Sequence, residues 1–298
     1  MGYLLVIIRT LISGGITIID KNYMMGTSAV KSNFDIYVII AYPLATLWYL
    51  ILANFSVPLN FVTFLFSFAL AFISLTVTWC SMVGYNYATI TYLSVFSSAG
   101  ATILVFLYEC VFTDDTFSLC MILSIVARML AVFVPLIYAK KEKAMNLKGF
   151  GFCILYFLLT GASSILMRIY VDTPNVMSTA SMCFWVNIII LPVAFSKIFM
   201  SASKDKEGGI KRLASDAKLI KPKYYVWLVV SLLIANVSNI MGYDIVKLIG
   251  GTASAVIGGS LGMIVSVMIS VFVYKEHASK QAVASAVMSV VAVILSVF

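Results

Sequence analysis

Ten apolar runs divide this chain from end to end. They fall at about 3–23, 35–54, 61–83, 88–110, 116–138, 149–171, 177–200, 224–246, 251–274 and 280–298. A helical membrane span needs ~20 apolar residues, so each run is a candidate span. The runs are continuous rather than alternating, which excludes a membrane barrel. In lipid a span must satisfy its own backbone hydrogen bonds, so each run is expected to be helical. Composition agrees: 62% of residues are hydrophobic, 11% are charged, and mean hydropathy is +1.05. Soluble domains run near ~45–50% apolar and ~25% charged. A soluble enzyme, a nucleic-acid-binding domain and a disordered chain are excluded. The expected fold is an all-α integral membrane protein with ten transmembrane helices.

Net charge is +8. In a membrane protein such an excess reports topology, because Lys and Arg collect in cytoplasmic loops. One basic loop covers Ala139 to Lys148 and carries Lys140, Lys141, Lys143 and Lys148. A second, from Ser201 to Lys223, carries seven basic and three acidic residues and reads as an exposed connection. It sets topology or meets lipid headgroups. By charge, the side holding both loops is cytoplasmic and both termini face outward.

The chemistry of enzymes finds little footing. Cys80, Cys110, Cys120, Cys153 and Cys183 lie in or beside apolar runs with no CxxC spacing, so no disulfide framework is expected. His277 is the only histidine, too few for a multi-His zinc site or an HExxH protease. No P-loop sequence occurs. No catalytic residues, metal or cofactor are expected. The run from Tyr3 lacks a basic leader and reads as a mature span rather than a cleaved signal.

An internal repeat organises the runs. Leu11-Ile-Ser-Gly-Gly-Ile-Thr-Ile-Ile-Asp-Lys-Asn-Tyr23 matches Leu158-Leu-Thr-Gly-Ala-Ser-Ser-Ile-Leu-Met-Arg-Ile-Tyr170. Gly14 aligns with Gly161, Lys21 with Arg168 and Tyr23 with Tyr170. Later, Phe106-Leu-Tyr-Glu109 matches Phe272-Val-Tyr-Lys-Glu276. Residues 1–145 form the first five-helix repeat and 146–298 the second, with the basic loop 201–223 between the seventh and eighth spans. Five is odd, so the halves insert with opposite orientation, as an inverted repeat. Such symmetry serves alternating access to a midplane site between the halves.

With these features the chain resembles the EamA-type group of the drug/metabolite transporter superfamily. The resemblance rests on the 5+5 plan and on the segment from Ser254 to Glu276, followed by His277-Ala-Ser-Lys-Gln281 and a last span. Ala88-Thr-Ile-Thr91 similarly looks like the family's small-residue start of the fourth helix. Asp114-Asp115 departs from the Gln-containing turn common there. The resemblance implies a secondary transporter or facilitator with a central cavity, and termini inside, opposite to the charge argument.

Polar residues inside spans are costly and need a reason. The expected substrate-binding set is Arg9, Trp79, Asn86, Tyr92, Arg128, Asn187, Asn236, Asn239 and Tyr243. Asn236, Asn239 and Tyr243 share one helical stripe. Each has a packing role as its alternative: interhelical hydrogen bonds for Arg128 and the asparagines, snorkelling for Arg9, and interfacial anchoring for Trp79 and the tyrosines. Glu109 and Glu276 are read as structural or gating. Gly258-x-x-x-Gly262 permits close helix approach.

The expected function is movement of a small polar or amphipathic metabolite across a membrane by alternating access. The alternatives are a non-transporting scaffold or assembly partner, and an exporter of drugs or lipid-linked substrates. Expected partners are the small-molecule substrate and membrane lipids, not nucleic acid. Proton or ion coupling stays open, as does the choice of monomer or homodimer. The expected location is the cell membrane, multi-pass, in a bacterial inner membrane.

Overall fold

The structure is a computed structural model. It describes residues 1–27, 30, 33–84, 87, 90–113, 117–139, 147–204, 209–275 and 280–297. Among them every regular element is helical. In chain order these are α1 (Gly2–Thr27), α2 (Asn33–Leu52), α3 (Phe61–Gly84), α4 (Ile90–Phe112), α5 (Leu119–Ala139) and α6 (Leu147–Asp172). Then come α7 (Thr179–Lys204), α8 (Gly209–Leu219), α9 (Pro222–Ile249), α10 (Gly251–Met268) and α11 (Lys280–Val297). A π-helical turn, Ile269–Val273, continues α10, with the Tyr274 N–H donating to the Ile269 carbonyl at 3.2 Å.

Seven of these helices are long and apolar enough to cross a membrane. Three further apolar stretches are shorter: Leu119–Phe133, Thr179–Val193 and Val283–Ser296. The exposed residues explain the length and apolarity. Phe61, Phe64, Leu65, Phe68 and Phe72 of α3 recur at helical spacing and are all exposed. Leu4, Ile7, Ile8 and Leu11 of α1 do the same. In water such stripes would be buried. Here they are the faces that meet lipid.

The helix count differs from ten because the basic connection over 201–223 is partly regular. Helix α8 forms within it, and α7 runs on to Lys204. Leu213, Ala217 and Ile220 recur at helical spacing and pack with Val30 and Ile36, so the segment gains by folding. The basic residues Lys140, Lys141 and Lys143 lie outside the described residues.

The chain forms two compact units, each drawn from both halves of the sequence. The first comprises Met1–Gly14, Thr76–Thr173 and Met241–Phe298. In it α4 packs on α6 and α10, and α5 packs on α11. Val95, Ala99, Ala131, Val132 and Met263 form its central cluster, joining α4, α5 and α10. The second unit comprises Gly15–Leu75 and Pro174–Ile240. There α2 packs on α7, and each of these helices carries an internal proline, Pro43 and Pro192.

Glycines set the closest approaches in the first unit. Gly161 of α6 faces α4: a Cβ there would stand 2.7 Å from the Gly100 carbonyl oxygen. Gly100 in turn lies against the Phe157 backbone of α6. Gly14 of α1 lies against Val265 and Ile269 at the end of α10. The Gly258-x-x-x-Gly262 spacing does not mark the tight spot. Gly262 has open space, whereas a Cβ on Gly259 would meet Ser98 Cβ at 3.1 Å.

Gly100→Ala should destabilise the protein by about 1–3 kcal/mol, because the obstacle is backbone and cannot swing away. Gly151→Ala, on an open stretch of α6, should leave the melting temperature of the detergent-solubilised protein essentially unchanged.

Candidate functional site

Lipid offers no hydrogen bonds, so each polar side chain within a span must find a partner or a purpose. Arg128 on α5 is fully buried in the first unit. Its Nη1 donates to Ser289 Oγ on α11 at 2.9 Å and to Met263 Sδ on α10 at 3.4 Å. Its Nη2 donates to the Gly259 carbonyl at 2.9 Å and to Ser98 Oγ on α4. Among the described residues no carboxylate pairs with it, and only Nε lacks a partner. The guanidinium is a planar fork with five donors, so one side chain ties α5 to three other helices through neutral acceptors. Of the two roles its position in the sequence allowed, hydrogen bonding between helices is the one the geometry displays.

Glu109, near the end of α4, is 2% exposed. Its Oε1 forms an ion pair with Arg168 Nε of α6 at 2.7 Å. Oε1 and Oε2 accept the backbone N–H groups of Gly251 and Thr252, each at 3.1 Å, and Oε2 also accepts the Thr252 hydroxyl. Helix α10 begins after Gly250, whose φ of 83° suits glycine and whose lack of a side chain leaves the helix uncapped from within. A carboxylate from another helix supplies the missing cap and offsets the positive end of the helix dipole. Arg168 also holds Asp172 at 2.8 Å. This cluster was legible only as a glutamate at a helix end. The counterpart Glu276 lies outside the described residues.

The second unit carries a different polar face. Tyr49 of α2 is buried. Its hydroxyl meets the Asn236 carbonyl at 3.5 Å and accepts from Asn239 Nδ2 of α9 at 3.4 Å. Asn187 of α7 turns its amide back to the Cys183 carbonyl at 2.7 Å. Asn236 is 6% exposed, and its Nδ2 has no partner among the described residues. In the same unit Asp20 of α1 accepts from Ser231 of α9 at 3.1 Å. Tyr49 was missed from sequence because a tyrosine near a span end reads as an interfacial anchor. Asp20 was seen only as part of the repeat.

The remaining expected residues divide. Asn236 and Asn239 belong to the second unit, whereas Tyr243, on the same stripe, belongs to the first. There Tyr243 meets Tyr170 edge-on, with ring centroids 6.0 Å apart. Arg9 lays its guanidinium against the backbone of Gly242, where a Cβ would stand 2.8 Å away. It is therefore packed on α9. Trp79 is 37% exposed and packs on Phe152, which also stacks on Tyr87. Asn86 lies outside the described residues. Tyr92 lies in α4, with its side chain likewise outside them. Among the described residues no group of three or more His, Cys, Asp or Glu side chains could hold a metal ion.

No family model and no curated protein matches this chain. A solved structure described as "Crystal structure of protein" is similar over 100% of this chain and 98% of its own, with a TM-score of 0.68 and 8% sequence identity. At that identity the likeness concerns the fold alone.

Glu109→Gln should cost roughly 3 kcal/mol, the lower end for breaking a buried ion pair, because Asp172 still holds Arg168. Adding Arg168→Met should cost less than the sum of the two single changes by at least about 1 kcal/mol. Chemical denaturation of the four proteins in detergent measures this coupling. Additive losses would mean that the pair does not act as a unit.

Proposed function

We propose that this chain is a ten-span, inverted-repeat secondary transporter or facilitator of the EamA type, moving a small polar or amphipathic metabolite by alternating access. The observation that carries the reading is the buried Asn236 amide beside Tyr49 and Asn239. A buried donor left unpaired costs about 1–3 kcal/mol, and a transient polar ligand is one way to recover that cost. Arg128 and Glu109, by contrast, have their hydrogen-bonding capacity almost fully used within the protein.

The inverted repeat is supported by which helices pair. If α1 to α5 correspond to α6, α7, α9, α10 and α11, then α2 packs on its own counterpart α7, α4 on α10, and α5 on α11. Pairing of each element with its counterpart is what a two-fold axis produces. Gly14 and Gly161, aligned in sequence, occupy corresponding places: Gly14 rests on α10 and Gly161 on α4. Pro43 and Pro192 interrupt the paired α2 and α7. Two states related by exchange of such equivalent contacts differ little in free energy, which alternating access requires.

The substrate-facing residues proposed are Asn236, Asn239 and Tyr49. Alternating access then needs the substrate to stabilise one state more than the other, and the amide face is where that difference arises. A scaffold would have no use for an unpaired buried amide. An exporter of drugs or lipid-linked substrates would use the same face with a more apolar cargo.

Reconstituted protein should show saturable uptake or exchange of a ligand first found by thermal stabilisation among amino acids, sugars, nucleotide sugars, polyamines and cationic drugs. A ligand at a hundredfold excess over Kd stabilises the folded state by ~2.7 kcal/mol. Asn236→Leu with Asn239→Leu should abolish both that stabilisation and the flux while the protein still elutes as a folded species. Full flux in the double variant would overturn the site. No flux of any ligand in the wild type would favour the scaffold.

A further inference from the structure

Within the second unit, α1 and α9 leave a cleft where they reach the bilayer surface. Asn22 and Gly26 line one side, and Lys223, Tyr224 and Trp227 the other, around a cavity of about 420 Å³. Gly26 creates the floor: a Cβ there would collide with the Tyr224 ring and hydroxyl, so glycine lets the ring lie against α1. The Lys223 ammonium stands 5.0 Å from the centroid of the same ring. Lys223 and Trp227, one turn apart on α9, are both exposed.

Depth identifies the surroundings. The apolar part of α1 ends at Tyr23 and that of α9 begins at Pro222, so the cleft sits where both helices leave the hydrocarbon. Tyr and Trp favour this headgroup level. Charge identifies the ligand. Residues 209–223 carry Lys211, Arg212, Lys218, Lys221 and Lys223 against Asp216 alone. The apolar side of α8 is taken up by packing through Leu213 and Ala217, while Lys218 remains exposed. A basic cluster beside a span attracts anionic lipid by ~1 kcal/mol per cation at the surface.

We propose that this cleft binds the phosphate headgroup of an anionic phospholipid. Lys223 pairs with the phosphate, and the Trp227 indole covers the glycerol and the first acyl carbons. A zwitterionic lipid brings its own ammonium and gains less from Lys223. A soluble phosphate has no acyl chain for Trp227. Because Asn22 and Trp227 lie on different helices, the bound lipid ties α1 to α9. The proposal depends on the membrane setting and not on the transport reading.

The test uses the full chain in neutral detergent, measuring its melting temperature with phosphatidylglycerol, phosphatidylcholine or inorganic phosphate. Phosphatidylglycerol should raise it by several degrees, phosphatidylcholine by much less and inorganic phosphate not at all. Lys223→Ala and Trp227→Ala should lose most of the phosphatidylglycerol increment while melting like the wild type in phosphatidylcholine. Lys148→Ala, a basic residue of the other unit, should keep it. If Lys223→Ala fails to fold, Gly26→Ala, which pushes Tyr224 into the cleft, should lose the increment instead. Equal effects of the two lipids, an equal effect of inorganic phosphate, or a full increment in the folded cleft variant would each overturn the proposal.

Discussion

The structure depends on one constraint: a hydrogen-bonding group in lipid must be answered from within the protein. Some of the described hydroxyls answer it locally. Thr10, Thr27 and Thr46 each donate to the carbonyl four residues earlier, at 2.8 Å. These side chains are neutral to their neighbours and let polar residues populate apolar helices. A smaller set reaches across. Ser124 donates to the Ala292 carbonyl at 2.9 Å, and Ser67 to the Met182 carbonyl at 3.3 Å. Since lipid is as apolar as leucine, such crossings and close packing at small residues distinguish the right helix partner from the wrong one.

Two buried charges meet the same constraint in opposite ways. Glu109 takes a countercharge from Arg168 and two backbone N–H groups from α10. Arg128 takes no countercharge among the described residues and spreads its proton donors over hydroxyl, thioether and carbonyl groups. The first arrangement is strong and local to helix ends. The second is diffuse and central to a bundle. Neither leaves much capacity for a ligand, which is why the amide face of Asn236 carries the functional reading.

Sequence made the helices legible because apolar length is a one-dimensional property. The runs at 61–83 and 251–274 need no partner to be recognised. The partners of polar residues are a three-dimensional property. Arg128 could be seen as costly, but Ser98, Gly259 and Ser289 lie far from it in sequence and look like ordinary small residues. Tyr49 carries no local mark that distinguishes a belt tyrosine from one that joins two helices. Helix α8 was hidden for a different reason. Its charge dominates its composition, and its short apolar stripe is meaningful only against Val30 and Ile36.

The cap on α10 has a consequence for synthesis. Glu109 precedes the Gly251 N–H that donates to it by 142 residues. At ~5–20 residues per second, roughly 7–30 s separate their emergence from the ribosome. Arg168 arrives within that interval, so both halves of the ion pair are synthesised before the helix that Glu109 caps. The late arrival of α10 brings its N–H groups to a carboxylate whose countercharge is already in the chain.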